Sequence, residues 1–473
     1  MASEYEIKGA TEAQNQLVQE IAHKFSVSDE HLVELADEVH RYLTNGLISD
    51  DEAMGLPSRV SYIKSGITDD IRDAKRAGSV ALGLTINTST RRMKIASVKF
   101  ARASPDIINK QVFHIKDGQS SAMQLCEQAA THIAQFINTH GVLPADAARA
   151  PTALPLGVTI DLPLEETSKS GGRVVCDSRA CDGFFRNVDI AQALNSAMLR
   201  QHLPVRVTST TNCVISTMVA AQHHFQSTCT ALILNHGINA SYYEAARKIP
   251  KISGTELGQS AARVAINTEL ARFGENSRVV QPTMWDHRID RESGNTGYHV
   301  FEKLVADKYL GEIVRNLITD FMDAQLIFAR DTDVTTFSEP YTFFTSYMTI
   351  MEDSSADLHE VGDLLKAGFN VDASYVDRQI VRSLCHIVAM RAAKLVGGAV
   401  AGVIRKATEA MDAPEPAVVS ISGQLTDMNQ PYVECTIETA QRVAAKLKLA
   451  EPVFNVLGED GYTVGAALSS FSK

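Results

Sequence analysis

Few side chains in this 473-residue chain sit in arrangements that announce chemistry. Its seven cysteines lie at 126, 176, 181, 213, 229, 385 and 435. No pair is spaced Cys-x-x-Cys and no His–Cys cluster has metal-ligand spacing, so neither zinc nor any other metal site is expected. Reduced cysteines are the expected state. Cys213 follows Asn212 in a polar run and has two readings, a reactive thiol or a small apolar residue. A thiol near its reference pKa of about 8.5 is mostly protonated at neutral pH and makes weak hydrogen bonds, which favours the second. His236 sits in the turn Asn235-His236-Gly237-Ile238-Asn239, as an anion contact or an exposed imidazole. Arg91-Arg92 reads either as a phosphate-attracting pair or as a solvated turn.

The elements that must position these residues belong to a globular chain. Hydrophobic residues are 45% and charged ones 21%, which supplies a real core and excludes global disorder. At about 150 residues per domain, the length suggests roughly three units or two large ones. The net charge of −11 argues against direct nucleic-acid binding and against an anionic membrane surface. No apolar run is expected to span a membrane, since Ile387 to Ile404 is interrupted by Arg391, Lys394 and glycines. The acidic start, Met1 to Glu6, lacks the basic-then-apolar order of a secretion signal. A cytoplasmic location is expected, and no basic run supports nuclear import.

Helical spacing predicts helices over residues 13–47, 121–140, 188–202, most of 297–331, 376–411 and 437–448, with a closing helix near Gly465. Strand patterns fall on Val80 to Leu84, Lys94 to Phe100, Leu156 to Leu162, a short Val205 to Thr208, Ala231 to Leu234 and Val418 to Ile421. Met54 to Ser58 reads as a turn. Alternating strands, glycine turns and long helices predict an α/β protein.

Several ordered stretches resemble the hexokinase family. Gly55-Leu-Pro-Ser-Arg-Val resembles the segment before the family's first phosphate loop. Leu154-Pro-Leu-Gly-Val-Thr-Ile-Asp-Leu-Pro is similar to "LPLGFTFSFP", and Thr211-Asn-Cys-Val-Ile-Ser-Thr-Met to "VNDTVGTM". Ile266-Asn-Thr-Glu-Leu-Ala-Arg-Phe-Gly is similar to "INTEWGAFG". Phe301-Glu-Lys-Leu-Val, Tyr309-Leu-Gly-Glu-Ile-Val-Arg and Glu459-Asp-Gly-Tyr-Thr-Val-Gly-Ala-Ala-Leu follow at family spacing. Pro340-Tyr and Thr345-Ser-Tyr resemble fungal members. The resemblance covers roughly residues 20–470. It implies a two-lobed actin-like ATPase fold with a cleft between a small and a large lobe. Residues 1–75 would be helices of the large lobe, 76–213 the small lobe, 214–455 the large lobe, and 456–473 a helix returning to the small lobe.

The same resemblance implies which positions would act. Phosphoryl transfer needs a base, charge neutralisation and a close backbone cradle. The family's base position is Cys213, and its metal anchor is Gly83. The first phosphate loop, "LDLGGTN", reads here through Thr85, Ile86 and Asn87, with β-branched residues where glycines are expected at positive φ. The second, "GTGTN", is Asn235, His236, Gly237, Ile238 and Asn239. The nucleotide side carries Ser422-Gly423 for "DGS" and Gly461-Tyr462-Thr463 for "GSG". Asn212, Asn239, Glu269 and Glu302 match the hexose-binding positions, while Asp161, Cys181 and Asp182 replace the rest of the sugar wall.

Base, metal anchor and cradle are thus altered together. The expected function is a catalytically inactive hexokinase-like protein with a regulatory or nutrient-sensing role, as in fungal carbon-source or extracellular protease control. A hexose is its candidate ligand and a second protein its expected partner. One alternative is a slow hexose or hexosamine kinase with a rebuilt site, using ATP and Mg²⁺ and taking Asp161 or Asp182 as base. Another is a scaffold that binds no ligand.

Overall fold

The first two helices start where the sequence supplies caps. Thr11 and Gln14 form a capping box on α1 (Glu12–Lys24), and Ser28 caps α2 (Asp29–Gly46). These elements come from a computed structural model, which describes residues 5–51, 55–66, 79–100, 105–116, 121–142, 153–175, 187–328, 335–411, 416–458 and 460–471. Met54, Cys176, Cys181, Asp182 and Glu459 lie outside the described residues.

Two sheets carry the chain. The first has the order β4-β3-β2-β5-β8, from β2 (Val80–Asn87), β3 (Arg92–Phe100), β4 (Pro105–His114), β5 (Leu154–Ile160) and β8 (Val205–Asn212). Its first three strands form an antiparallel meander, and β5 and β8 add in parallel. The second has the order β1-β11-β10-β9-β12-β13, from β1 (Arg59–Lys64), β9 (Thr228–Leu234), β10 (Ile238–Ala245), β11 (Arg263–Asn267), β12 (Val418–Ser422) and β13 (Val453–Leu457). Again three antiparallel strands are followed by two parallel ones, with β1 added at the edge. A small hairpin, β6 (Leu164–Glu166) with β7 (Gly172–Val174), hangs beside β8 and β1.

The first sheet buries Leu82, Leu84 and Ile86 under α3 (Ala122–His140) and α4 (Ile190–Arg200). The second packs against α2 and against the long helix α11 (Tyr375–Met411). That helix is, by length and composition, apolar enough to cross a membrane, contrary to the sequence expectation. Here the apolar stretch of the helix is 89% buried within the core, which explains its lack of a continuous polar face. Arg391 within it is buried and forks onto buried Asp286 at 2.6 and 2.8 Å. Burial opposes the Asp286 charge, but Arg391 more than offsets this and holds the carboxyl below its usual value.

A third core lies between the sheets. It contains α5 (Cys213–His224), α13 (Gly461–Ser469) and apolar residues of both sheets. Glycines permit this contact. A Cβ at Gly83 would lie 2.1 Å from the Thr463 carbonyl oxygen, and one at Gly465 would lie 1.8 Å from that of Ser216.

Several boundaries differ from the sequence pattern. Strand β8 runs through Asn212 because Ser209 to Asn212 pair with β5, beyond a bulge at Thr208, although they look polar. The predicted helix at 437–448 begins earlier, at Gln430, where Asn429 caps it and a proline occupies its first turn. Strands β4, β10, β11 and β13 gave no clear alternation.

The Arg391–Asp286 pair yields a stability test. Arg391→Met removes the cation from buried Asp286, leaving it only the Thr283 amide and hydroxyl, and should lower unfolding free energy by about 3–5 kcal/mol. Chemical denaturation measures it, and a loss below about 1 kcal/mol would show the pair to be dispensable.

Candidate functional site

A cleft of about 700 Å³ opens between the loops of the two sheets. One wall comes from the ends of β2, β5 and β8, through Asn87, Asp161 and Asn212. The other comes from the β9–β10 turn and from two successive helices, α7 (Val300–Val305) and α8 (Asp307–Asp323). The structure brings Asn212, Cys213, Asn235, His236, Gly237, Asn239, Glu269, Glu302, Asp161 and Tyr462 into this one cleft.

Asn212 is the N-cap of α5. It accepts from the Val214 amide and donates to the Leu162 carbonyl. Asn239 donates to Asn267 Oδ1 at 2.8 Å and accepts from the Ala240 and Leu270 amides. Glu269, buried and at positive φ, accepts from Asn267 Nδ2 at 2.9 Å. Arg59 on edge strand β1 lies 3.6 Å from the same carboxylate. Glu269 occupies the N-cap position of a 3₁₀ turn, Leu270–Arg272, but makes no side-chain capping bond, and Glu302 lies in the first turn of α7.

Glu302 faces His299, whose Nδ1 is 3.3 Å from Oε1. A Cβ on Gly237 would lie 2.5 Å from the other Glu302 oxygen, so a side chain there would push the carboxylate aside. His236 is half-buried rather than freely exposed, and its Nδ1 lies 2.9 Å from Asp307. Asn235 is held by the Gln424 amide on its side chain and the Asp307 amide on its carbonyl.

Asp161 does not face the cleft as an open carboxylate. It accepts four hydrogen bonds, from the amides and hydroxyls of Thr88 and Ser89, at 2.9–3.0 Å. That leaves it poorly placed as a base. Cys213 is half-buried, and burial, with Asp161 nearby, pushes its thiol up to about 12.

Thr85 and Ile86 are not loop residues. Strand β2 continues through Asn87 in regular register with β3, and neither residue has positive φ. β-branched residues favour the strand, so the turn is displaced to residues 88–91, where Arg91 takes the left-handed conformation. Ile86 is buried in the small-sheet core, while Thr85 bonds Thr463 at 2.7 Å on the opposite face. Arg91 and Arg92 are exposed, and Arg91 donates to the Lys116 carbonyl.

On the remaining side, Ser422 is buried with its hydroxyl donating to the Gly458 carbonyl. Gly423 has φ 129°. Gly461 begins α13, and Tyr462 is buried at the cleft wall with Lys94 5.9 Å from its ring centroid. Asp460, just before, bridges Lys94 and Lys110. Among the described residues, no group of three or more His, Cys, Asp or Glu is arranged to hold a metal ion.

Sequence reasoning missed four contributors. His299 was detectable as an acid–base neighbour three residues before Glu302 on a helix. Asp307, Arg59 and the aromatic segment 341–344 carry no local signal, because each reaches the cleft through tertiary packing.

Two lobes built on one repeated sheet plan around a polar cleft define a protein of the actin-like ATPase fold. The chain belongs to the hexokinase family: two models, both described as hexokinase, match residues 17–223 and 229–472. It is 27% identical to hexokinase-5 of Oryza sativa subsp. japonica, over 96% of this chain and 89% of that protein. It is 30% identical to hexokinase-7 of the same plant, over 75% of each. A hexokinase of Kluyveromyces lactis is 28% identical over 67% of this chain and 65% of its own length. The structure is similar to Schistosoma mansoni hexokinase complexed with glucose, with TM-score 0.82, 23% identity, and coverage of 97% of this chain and 100% of that one. A second hexokinase crystal structure gives TM-score 0.76 at 18% identity, covering 98% and 100%.

The His299 pair predicts a pH dependence. Burial lowers the imidazole's affinity for protons, but Glu302, with Glu275 and Glu269, outweighs it and raises the pKa above 6.5. The stabilisation is complete below that ordinary value and is lost as pH rises through the raised one. Glu302→Gln should return the His299 titration, followed by NMR, to or below the ordinary range. An unchanged midpoint would refute the assignment.

Proposed function

We propose that this hexokinase-family protein does not transfer phosphoryl groups and acts instead as a hexose-binding regulatory or nutrient-sensing protein. The observation that carries this reading is Cys213 at the position the family resemblance gives to the base. Its thiol, pushed up to about 12, stays protonated at neutral pH. Loss of a general base costs on the order of 10²- to 10⁴-fold.

The surrounding residues do not fit Mg-ATP. Gly83 stands at the anchor position, with the α13 backbone filling the space a carboxylate would need. The Thr88 and Ser89 amides, which a phosphate would approach, already bond Asp161. Thr85 and Thr463 close on each other. The hexose positions are better kept. Asn212, Asn239, Glu269 and Glu302 share one cleft, and paired acceptors and donors are what sugar hydroxyls require. The glucose complex of the similar solved hexokinase supports a hexose as ligand. Closure of the lobes on that sugar would change the surface offered to a partner protein in the cytoplasm, in carbon-source control for example.

A second reading is favoured by one observation. The His236 Nδ1 lies 2.9 Å from Asp307 at the cleft without a hydrogen bond, and tightening of that contact would give a relocated base its orienting carboxylate. That reading is a slow hexose or hexosamine kinase.

Both are tested together. With Mg-ATP and glucose, fructose, mannose or glucosamine, high protein and long incubation should yield no sugar phosphate. Glucose at 100-fold above its Kd should add about 2.7 kcal/mol of stability, lost in Glu302→Gln. Turnover abolished by His236→Ala would establish the kinase instead, and silence in both assays would leave a scaffold. Gly83→Asp should not restore transfer. Its side chain meets the α13 backbone, and overpacking there should cost about 1–3 kcal/mol in thermal or chemical unfolding.

A further inference from the structure

The far end of the cleft is aromatic. Beyond the His236–Asp307 pair, Tyr309 leads to Tyr341 and Phe344, all lining the same cavity. Tyr341 is 37% exposed and Phe344 56%. They do not sit on a loose loop. The Tyr341 amide donates to Glu312, which is itself buried and forked by Arg315 at 2.6 and 2.8 Å. Thr345 accepts from the Gly311 amide and donates to the Asp307 carbonyl. Tyr341 packs edgewise on Tyr309 and Phe344 on Tyr347. Rings fixed in this way and left facing a cavity form a ready stacking surface.

Charge limits what could stack there. Among the described residues lining the cleft, the carboxylates of Asp161, Glu269, Glu302 and Asp307 stand against Lys308 and two histidines, His236 and His299. A triphosphate crossing this cavity would meet an excess of negative charge, whereas an uncharged ring would not. The volume of about 700 Å³ lies in the range that holds multi-ring ligands.

We propose that the cleft binds an uncharged two-ring glycoside. Its hexose lies among Asn212, Asn239, Glu269 and Glu302, and its second ring lies with an apolar face against Tyr341 and Phe344. The proposal rests on the hexose reading above and adds the class of aglycone. The second ring is a sugar or an aryl group, since both present such a face.

Calorimetric titration of the full chain decides it, using glucose, methyl glucoside, cellobiose, maltose and phenyl glucoside in both anomers, with ATP as a further titrant. At least one two-ring compound should bind about ten-fold more tightly than methyl glucoside. Phe344→Ala and Tyr341→Ala should remove that advantage while leaving methyl glucoside affinity unchanged. The disaccharide and aryl arms tell the two sources of the ring apart. Equal affinity for glucose and every glycoside would overturn the inference and leave the hexose reading standing. Absence of binding by any sugar would overturn both. ATP binding lost in Phe344→Ala would also overturn it, by making the rings a nucleotide platform.

Discussion

The cleft depends on one close contact, that of the C-terminal helix α13 with both halves of the molecule. Its backbone lies against β2 at Gly83, against β5 at Gly157 and against α5 at Gly465, where a Cβ would come within 2.1, 1.7 and 1.8 Å of a carbonyl oxygen. Side chains cannot be accommodated at such distances. The helix therefore sets the spacing between the small sheet and α5, and α5 begins with Cys213 and its cap Asn212 at the cleft floor. Tyr462 and Thr463 are placed by the same contact. The composition of the cleft wall and the joint between the lobes are one structural fact.

A second regularity is the internal pairing of the cleft's acids. Asp161 is satisfied by the 88–89 turn, Glu269 by Asn267 with Arg59 near, and Glu302 by His299, while Asp307 has the His236 imidazole 2.9 Å away. Buried carboxylates demand such partners, since an unpaired one would be costly. Pairing leaves lone pairs for hydroxyl groups but does not concentrate unshared charge on a cation. A cleft of this kind suits a neutral, hydroxyl-rich ligand better than a metal–nucleotide complex.

The architecture was legible in the sequence because long helices and buried strands carry strong periodicity. Residues 121–140 and 376–411 needed no tertiary information. The site was legible only where ordered segments resembled a family, as at Asn212, Glu269 and Glu302. It was illegible where function comes from packing. Arg59 reaches Glu269 from an edge strand about two hundred residues earlier, and Phe344 reaches the cleft because Glu312 and Arg315 hold its segment. The β2 turn failed for another reason. The family resemblance places a phosphate loop at 85–86 with both glycines replaced, and the replacing residues extend the strand instead.

That extension makes the altered loop hard to reverse. On one face of β2, Leu82, Leu84 and Ile86 belong to the small-sheet core; on the other, Gly83 and Thr85 meet α13. Returning Ile86 to glycine would forfeit the burial of a large aliphatic side chain, about 1.5–3 kcal/mol, and add about 0.5–1 kcal/mol for glycine in a strand. Returning Thr85 would open its bond to Thr463. Placing a carboxylate at Gly83 requires α13 to move, and moving α13 disturbs its contacts at Gly157 and Gly465. Each position is held by stability on its own account, so no single substitution reopens a phosphate cradle. On the function proposed above, the small lobe is built without such a cradle, while Asn212, Asn239, Glu269 and Glu302 on the facing walls are fixed by separate hydrogen bonds.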